Sequence, residues 1–213
     1  MTPDKKLTIL VSSTVYGYES ILDMIYSLLT QLGYEVWMSH KETLPVISDL
    51  SNLENCLVAT KNCDIFFGII TPRYGSGICG DGLSITHHEL KKAIELNKLR
   101  WVFVHEDVFF ARTFLNSLGF KGKTGRKKLS PSKTPLLDLR SIDMLEDVID
   151  SQLPPENRRG NWAHKYRDDY EAQAIIMFQF SRYQEIESYI KENIRNSTQD
   201  SRVIEEPRTS HED

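Results

Sequence analysis

The sequence predicts a doubly wound α/β fold, in which about five mainly parallel strands carry helices on both faces. Short runs rich in β-branched and aromatic residues alternate along the chain with longer segments whose apolar residues recur at helical spacing. One short run, DIFFGIIT from Asp64 to Thr71, is apolar almost throughout, as a strand buried on both faces must be. This alternation implies right-handed crossovers between parallel strands and a sheet covered on both sides.

The first half of the chain contains three predicted strands, each with a helix after it. The strands are Leu7 to Ser13, Tyr34 to Ser39 and Asp64 to Thr71. The first helix, ESILDMIYSLLTQLG, has aliphatic residues at helical spacing and is closed by Gly33. The second helix covers LSNLENCLVATKNC, after a loop through Pro45, and the third covers THHELKKAIELNK.

The second half is predicted to complete the sheet and to add a C-terminal helical extension. A fourth strand is predicted at Arg100 to Asp107, a helix at DVFFARTFLNSLGF and a weaker fifth strand at KTPLLDLR. A long helix covers residues 169–194, and we expect its apolar side to pack on the sheet. Residues 1–195 are expected to form one domain, and residues 196–213 a disordered polar tail.

The segment Lys121 to Lys133, KGKTGRKKLSPSK, contains six basic residues and no acidic residue. A charged segment with few apolar residues is typical of a solvated, mobile loop. The alternative is a flap whose basic side chains contact phosphate groups of a ligand.

Composition limits the partners of the protein. A net charge of −4 and an isoelectric point of about 5.9 give no general positive field for nucleic acid or anionic membranes. The apolar run near the N-terminus is too short for a signal peptide or a membrane span, so we expect a cytoplasmic protein. The three cysteines form no CxxC pair, which argues against a zinc site, and Cys56 and Cys63 are expected to pack as free thiols.

The fold class itself predicts where a ligand binds. In an open parallel sheet, ligands bind outside the carboxyl ends of the strands where the strand order reverses. In the flavodoxin-like version this point lies between the first and third strands. The loops there are Ser12 to Gly17 and Thr71 to Ile85, and both are rich in hydroxyl groups and glycine.

Five side chains in these loops are candidates for substrate binding. They are Ser12, Ser13, Thr14, Arg73 and Tyr74. The three hydroxyl groups either donate hydrogen bonds to a phosphate or ribose, or cap and turn the chain. Arg73 either contacts phosphate or forms a structural ion pair, and Tyr74 either stacks on a base or packs in its loop.

Glu89 lies in the first turn of the predicted third helix, which leaves this crevice. Thr86 stands three residues before it and completes T-x-x-E, the pattern of a capping box in which the glutamate accepts from the Thr86 N–H. The other interpretation is a catalytic carboxylate directed into the crevice. His87 and His88 are either exposed residues of a helix start or acid/base partners. Further candidates end the fourth strand, namely His105, Glu106 and Asp107.

Three segments, ILVSSTVYGYE, CDIFFGIITPRYGS and LSITHHELKKAIELNK, together resemble a bacterial family that is still catalogued as a domain of unknown function. The resemblance runs to about residue 190 and rests on the elements SST, RYGS and S-x-T-x-x-E. Members occur alone or at the N-terminus of signalling ATPases of the STAND and NACHT types. The family is similar in fold to TIR domains and to nucleoside 2-deoxyribosyltransferases, so the resemblance implies a TIR-like sheet.

Those relatives place a glutamate on the helix after the third strand, against the anomeric carbon of a ribosyl group. The resemblance therefore implies that Glu89 is catalytic and that Ser84, Thr86 and His88 contact the substrate. The deoxyribosyltransferases have D-x-G-T-x-x-E at this place. Here the threonine is present, but residues 83–85 are Leu, Ser and Ile, so the aspartate and the glycine of that motif are absent.

Two functions follow as hypotheses. The first is an enzyme that cleaves an N-glycosidic bond in a nucleoside or nucleotide, in signalling or anti-phage defence, with NAD as the leading candidate by similarity to TIR enzymes. The second is a non-catalytic module that binds a nucleotide-derived signal or a protein partner, which the two absent motif residues favour. We expect no resident cofactor and no metal. A homo-oligomer or a signalling partner protein is a further expectation, with the basic segment or the tail as the contact.

Overall fold

The computed structural model describes residues 6–75, 77–131, 136–150 and 153–192. Five parallel strands form one sheet: β1 (Thr8–Ser13), β2 (Glu35–Trp37), β3 (Ile65–Ile70), β4 (Leu99–His105) and β5 (Ala163–Tyr166). Their order is β2-β1-β3-β4-β5. This is the flavodoxin-like order, and it confirms the predicted doubly wound fold class.

Helices cover both faces of the sheet. They are α1 (Glu19–Gln31), α2 (Asn52–Asn62), α3 (Ile85–Glu95), α4 (Glu106–Ser117), α5 (Gly122–Arg126), α6 (Leu139–Ile149), α7 (Asp169–Phe180) and α8 (residues 183–192). Short 3-10 turns lie at Ser39–Lys41 and Pro155–Asn157. Helices α1, α7 and α8 contribute to one apolar layer, and α2, α3, α4 and α6 to the other.

The two layers follow from the alternation of side chains along the strands. In β1, Ile9 and Val11 pack with α1 and α7, whereas Leu10 between them points into the opposite layer. All residues of the central strand β3 are buried, as its nearly continuous apolar sequence predicts. The loops that follow β1 and β3 therefore begin at the carboxyl ends of two paired, largely buried strands.

The predicted fifth strand at KTPLLDLR is wrong, because part of that segment starts a helix. Asp138 accepts a hydrogen bond from the Arg140 N–H at 2.9 Å and caps α6. Beyond the cap, Ile142, Leu145 and Val148 are buried at helical spacing. The true fifth strand, Ala163–Tyr166, is at the edge of the sheet, where a strand needs no long apolar run to be paired.

The single long helix predicted for residues 169–194 is also wrong, because the chain breaks after α7 and continues in α8. The break brings Tyr183 against Tyr34, with ring centroids 4.8 Å apart, and the Tyr183 hydroxyl accepts from the Leu7 N–H at 2.9 Å. Apolar spacing could not reveal this break, since the same periodicity runs through both helices. The predicted tail over residues 196–213 lies outside the described residues.

The basic segment 121–133 differs from a purely solvated loop in its described part, residues 121–131. Residues Gly122–Arg126 form α5, and Arg126 is only 4% exposed. Its guanidinium forms ion pairs with Asp143 and Glu146 of α6. The segment's own composition could not predict this, because the acidic residues that compensate the buried charge of Arg126 lie in α6, beyond the segment.

Within the described part of the chain, none of the helices combines the length and the apolar character that a membrane crossing requires.

Candidate functional site

A cleft of about 980 Å³ opens at the carboxyl edge of the sheet beside β1 and β3. Its walls are the loops after these two strands, the first turns of α2 and α3, and part of the segment between β2 and α2. Ligands of doubly wound sheets bind at this point. The structure therefore brings together the two loops that the sequence assigned to a site.

Glu89 is buried at the floor of the cleft, with 6% of its surface exposed. Its carboxyl oxygen Oε2 accepts a hydrogen bond from the Ser12 hydroxyl at 2.5 Å. Burial raises the pKa of Glu89 to about 7, against the smaller opposing effects of hydrogen bonds from Ser12 and Cys56. A carboxyl group with a pKa near neutrality in a cleft is typical of functional sites.

The capping-box interpretation of Glu89 is wrong. Helix α3 begins two residues earlier than the T-x-x-E pattern requires, and its N-cap is Ser84, whose hydroxyl accepts from the His87 N–H at 3.2 Å. Glu89 then lies too far into the helix to reach the N-cap backbone. A true capping box begins α2, where Ser51 and the exposed Glu54 bond to each other's backbone N–H groups.

The hydroxyl groups at the end of β1 are all donors to protein acceptors. Ser12 donates to Glu89, Ser13 donates to the Thr14 carbonyl oxygen at 3.1 Å, and Thr14 donates to the Arg73 carbonyl oxygen at 3.0 Å. The Thr14 bond joins the two loops of the cleft. Each hydroxyl oxygen keeps lone pairs that can accept a further hydrogen bond.

Arg73 and Tyr74 have different environments, although they are adjacent in the chain. Arg73 is exposed, and its guanidinium lies 5.1 Å from the ring centroid of Tyr16, which is 73% exposed and also lines the cleft. Tyr74 is buried, and the Arg140 guanidinium lies 4.3 Å from its ring centroid. Tyr16 is therefore a more accessible aromatic side chain for a ligand than Tyr74.

The Tyr74 hydroxyl belongs to a buried hydrogen-bond chain. It accepts from the Ser84 N–H at 3.3 Å and lies 2.5 Å from Nδ1 of His87, while Nε2 of His87 lies 2.9 Å from Asp147. In the neutral ring these partners favour the tautomer protonated on Nε2, which donates to Asp147, while the Tyr74 hydroxyl donates to Nδ1. Although burial raises it, the pKa of Asp147 stays below its ordinary value because His87 and Lys123 interact with the carboxylate.

Of the three helix residues assigned to substrate binding, the structure places two in the cleft. Ser84 and Thr86 line it, whereas His88 turns to Asp81, with Nε2 3.2 Å from the carboxylate. The further candidates at the end of β4 do not line this cleft: His105 packs against Tyr166, and Glu106 and Asp107 are the first residues of α4. They lie at the carboxyl end of β4, whereas the strand order reverses between β1 and β3.

Three residues of α2 line the cleft without having been assigned to it, namely Asn52, Asn55 and Cys56. Asn55 is 4% exposed, and its amide bonds to the backbone of Ile47, Leu50 and Ser51, which fixes the loop before α2. Cys56 contacts Glu89, and burial raises the pKa of its thiol to about 12, helped by the Glu89 charge. Helical spacing alone placed Cys56 in the core, because it cannot show that α2 packs against α3.

Carboxyl groups dominate the charge of the cleft. Among its described lining residues, Glu19, Glu42, Glu89 and Asp138 are acidic and Arg73 is basic. Asp138 is paired with Arg140, whose Nη2 lies 2.8 Å from its carboxylate. Across the residues that the structure describes, no group of three or more His, Cys, Asp or Glu side chains is placed to hold a metal ion.

The residues that form the floor of the cleft, from Ser12 to Glu89, lie within a stretch that matches a known family. Residues 8–130, more than half of the chain, match the family described as Domain of unknown function (DUF4062). The chain belongs to this family. The DUF4062 match runs from β1 through α5, so it includes both loops of the cleft and Glu89. No curated protein matches the chain.

Proposed function

We propose that this DUF4062 protein cleaves the N-glycosidic bond of a nucleoside or nucleotide, with Glu89 as the catalytic carboxylate. The observation that carries the proposal is the position of Glu89, a buried carboxyl group at the reversal of strand order that is held by the Ser12 hydroxyl at 2.5 Å. The resemblance to TIR domains and nucleoside 2-deoxyribosyltransferases supports the reaction class and makes NAD the leading nucleotide to test.

The reaction needs a carboxylate at this place. The bond between the anomeric carbon and the base nitrogen breaks, and its electron pair leaves with the base. The base of a neutral nucleoside then takes up a proton, whereas the cationic pyridinium of NAD leaves as neutral nicotinamide without one. The sugar then carries positive charge in an oxocarbenium-like state, which a carboxylate stabilises or captures as a transient ester. Water supplies the new oxygen on the anomeric carbon and loses a proton to Glu89 or to solvent.

Other lining residues have supporting roles in this proposal. The end of β1, from Ser12 to Thr14, is expected to hold the ribose, because it lies beside Glu89. Arg73 and the exposed Tyr16 are expected to contact the other end of the ligand. Tyr74 acts indirectly, since its hydroxyl holds the N-terminus of α3 through Ser84.

The test is release of free base from a panel of nucleosides, nucleotides and NAD, followed by chromatography. We expect Glu89→Gln to lower the rate by about 10² or more, because glutamine has no charge to offer an oxocarbenium ion. Glu54→Gln is the matched control, since Glu54 is exposed in the capping box of α2 and glutamine can maintain that cap. Activity that survives Glu89→Gln contradicts the catalytic assignment.

A non-catalytic binding module is the second candidate. Cleavage of a bond to a neutral base is helped by a side chain that protonates the leaving base, and among the described lining residues of the cleft there is no histidine. His87 is 1% exposed and bonded on both ring nitrogens, and His88 turns to Asp81. Binding of an intact panel member with no base released, at any pH from about 5 to 9, would favour this second function.

A further inference from the structure

We infer that the cleft selects an uncharged nucleoside whose sugar hydroxyls donate hydrogen bonds to the end of β1, in preference to nucleotides. This inference rests on the proposed function, because it assumes that the sugar lies against Glu89. Two independent features of the cleft carry it: the direction of the hydrogen bonds at β1 and the charge of the walls.

The hydrogen-bond direction distinguishes a sugar from a phosphate. The Ser13 and Thr14 hydroxyl protons go to the carbonyl oxygens of Thr14 and Arg73, which can only accept. The Ser12 proton goes to the Glu89 carboxylate. Each hydroxyl oxygen therefore has only lone pairs left for a ligand, and the ligand must supply the hydrogen-bond donor. A ribose hydroxyl is such a donor, whereas the oxygens of a phosphate dianion are acceptors only.

The charge of the cleft walls also favours a nucleoside over a nucleotide. Glu19 and Glu42 line the cleft, and neither takes part in any ion pair identified in the described chain. Glu19 lies at the start of α1, and its pKa is lowered by hydrogen bonds from its own N–H and that of Gly17, so the carboxylate already occupies this helix N-terminus. Arg73 is the basic member of the described lining. The walls therefore repel a ligand with several phosphates.

The apolar part of the lining suits the base of a nucleoside. It consists of Leu10, Val11, Val15, Leu44, Val46 and Ile85. A volume of about 980 Å³ is more than a nucleoside fills, so volume alone does not exclude a nucleotide. Discrimination must come from the hydrogen bonds and the charge.

The experiment measures binding and cleavage in the same samples. Ligand-observed NMR on the wild-type protein at low ionic strength reports both the intact ligand and any released base. The panel is adenosine and uridine, their 5′-monophosphates and 5′-triphosphates, NAD and inorganic phosphate. We expect each nucleoside to bind at least about tenfold more tightly than its triphosphate, and inorganic phosphate not to compete.

Sugar analogues test the hydrogen-bond direction. Compared with adenosine, 2′-O-methyladenosine keeps an acceptor oxygen but loses the donor, and 2′-deoxyadenosine loses both. If β1 accepts from the sugar, we expect the methyl ether and the deoxy analogue to bind about equally weakly. A corresponding pair modified at the 3′ position tests the second hydroxyl. If all modified analogues bind as tightly as adenosine, the hydrogen-bond argument is wrong.

A charge variant tests the walls. In the double variant Glu19→Gln with Glu42→Gln we expect the preference for nucleosides over triphosphates to shrink several-fold, and the effect to fade as salt rises. Glu95→Gln is the control for each single substitution, because it removes one carboxylate at the far end of α3, outside the cleft lining. An unchanged preference in the double variant contradicts the role of these carboxylates.

The outcomes separate this inference from the proposed function. If nucleosides bind without release of base, the inference is supported and the proposed glycosidase activity is contradicted. Nucleotides that bind more tightly and release their base overturn the inference and leave the glycosidase standing. If none of the panel members binds, both are overturned.

Discussion

The Ser12 hydroxyl at the end of β1 donates a hydrogen bond of 2.5 Å to Glu89 of α3, a residue 77 positions further along the chain. The bond ties the helix after β3 to the first strand at the place where the strand order reverses. Because it is buried, it fixes the position of the carboxyl group without restoring the hydration that burial removes. The pKa of Glu89 is accordingly raised to about 7. Both the reaction and the stability of the protein should depend on pH through this one group.

The first prediction concerns the pH profile of base release. The ionised form of Glu89 is the one that stabilises an oxocarbenium ion, so the rate should rise with pH through about 7 and level off above it. Cys56→Ser should move the midpoint downwards, because a hydroxyl is a stronger donor to the carboxylate than a thiol. Cys63→Ser, in the core beyond α2, should leave the midpoint in place. A flat profile between about pH 5 and 9 would show that Glu89 ionisation does not control the rate.

The second prediction concerns stability. Because the pKa of Glu89 is higher in the folded protein than its ordinary value of 4.5, the folded state binds the proton more tightly. This group therefore lowers the free energy of unfolding as pH rises from about 4.5 to about 7, by at most about 3 kcal/mol. Glu89→Gln does not titrate, so it should be more stable than wild type at about pH 8 and lose that advantage at about pH 5.

Urea denaturation of both proteins at the two pH values measures this difference. Glu54→Gln should show no gain at pH 8, because hydrogen bonds from Ser51 lower the pKa of the exposed Glu54 carboxyl group and the folded state favours its charged form. A Glu89→Gln variant that is less stable than wild type at pH 8 would mean that the charged carboxylate is a net stabilising group.

Sequence patterns predicted the position of the cleft better than the role of each side chain in it. Alternating strands and helices were enough to place Ser12 and Arg73 at one edge, because parallel strands all end on the same side. The T-x-x-E pattern at Thr86 was misleading, because the residue that caps α3 is Ser84, two positions earlier. Local patterns do not show which of two hydroxyl residues starts a helix when the loop before it is held by a contact outside the helix, here the hydrogen bond that the Ser84 N–H donates to the Tyr74 hydroxyl.

The third prediction contrasts two adjacent histidines. His87→Ala removes the partner of both Tyr74 and Asp147 and leaves a cavity, so it should cost roughly 2–4 kcal/mol of unfolding free energy. His88→Ala should change it by less than about 0.5 kcal/mol, because its contact with Asp81 is exposed. Chemical denaturation of the two variants measures both values. Equal effects would show that the buried chain through His87 contributes little.

The fourth prediction concerns the basic segment. Arg126→Gln leaves Asp143 without this partner and Glu146 paired with Arg112 alone, and because both carboxylates are partly exposed we expect a loss of roughly 1–3 kcal/mol, below that of a fully buried pair. Lys128→Gln, two residues further on and exposed, should be neutral. Thermal and urea unfolding of both variants measure the two changes in unfolding free energy. A neutral Arg126→Gln would support a segment that is wholly dispensable for folding.

The last prediction concerns the wall of the cleft before α2. The Asn55 amide accepts from the Ile47 N–H at 2.8 Å and donates to the carbonyl oxygens of Ile47, Leu50 and Ser51 at 3.1 to 3.2 Å. Asn55→Asp replaces the donor by a second acceptor, which then faces three carbonyl oxygens, so it should cost roughly 2–4 kcal/mol at neutral pH. Part of this loss should be recovered at low pH, where the carboxyl group takes up a proton and can donate again.

The matched control is Asn52→Asp, which makes the same chemical change in the first turn of the same helix at an exposed position. A negative charge near a helix N-terminus is favourable, so this variant should be neutral or slightly more stable. Both residues line the cleft. Asn55→Asp should therefore weaken nucleoside binding in parallel with stability, whereas Asn52→Asp, which breaks none of the loop's hydrogen bonds, should leave the fold of the wall unchanged. If Asn55→Asp is as stable as its control, the hydrogen bonds of Asn55 do not hold the loop, and another contact must fix this wall of the cleft.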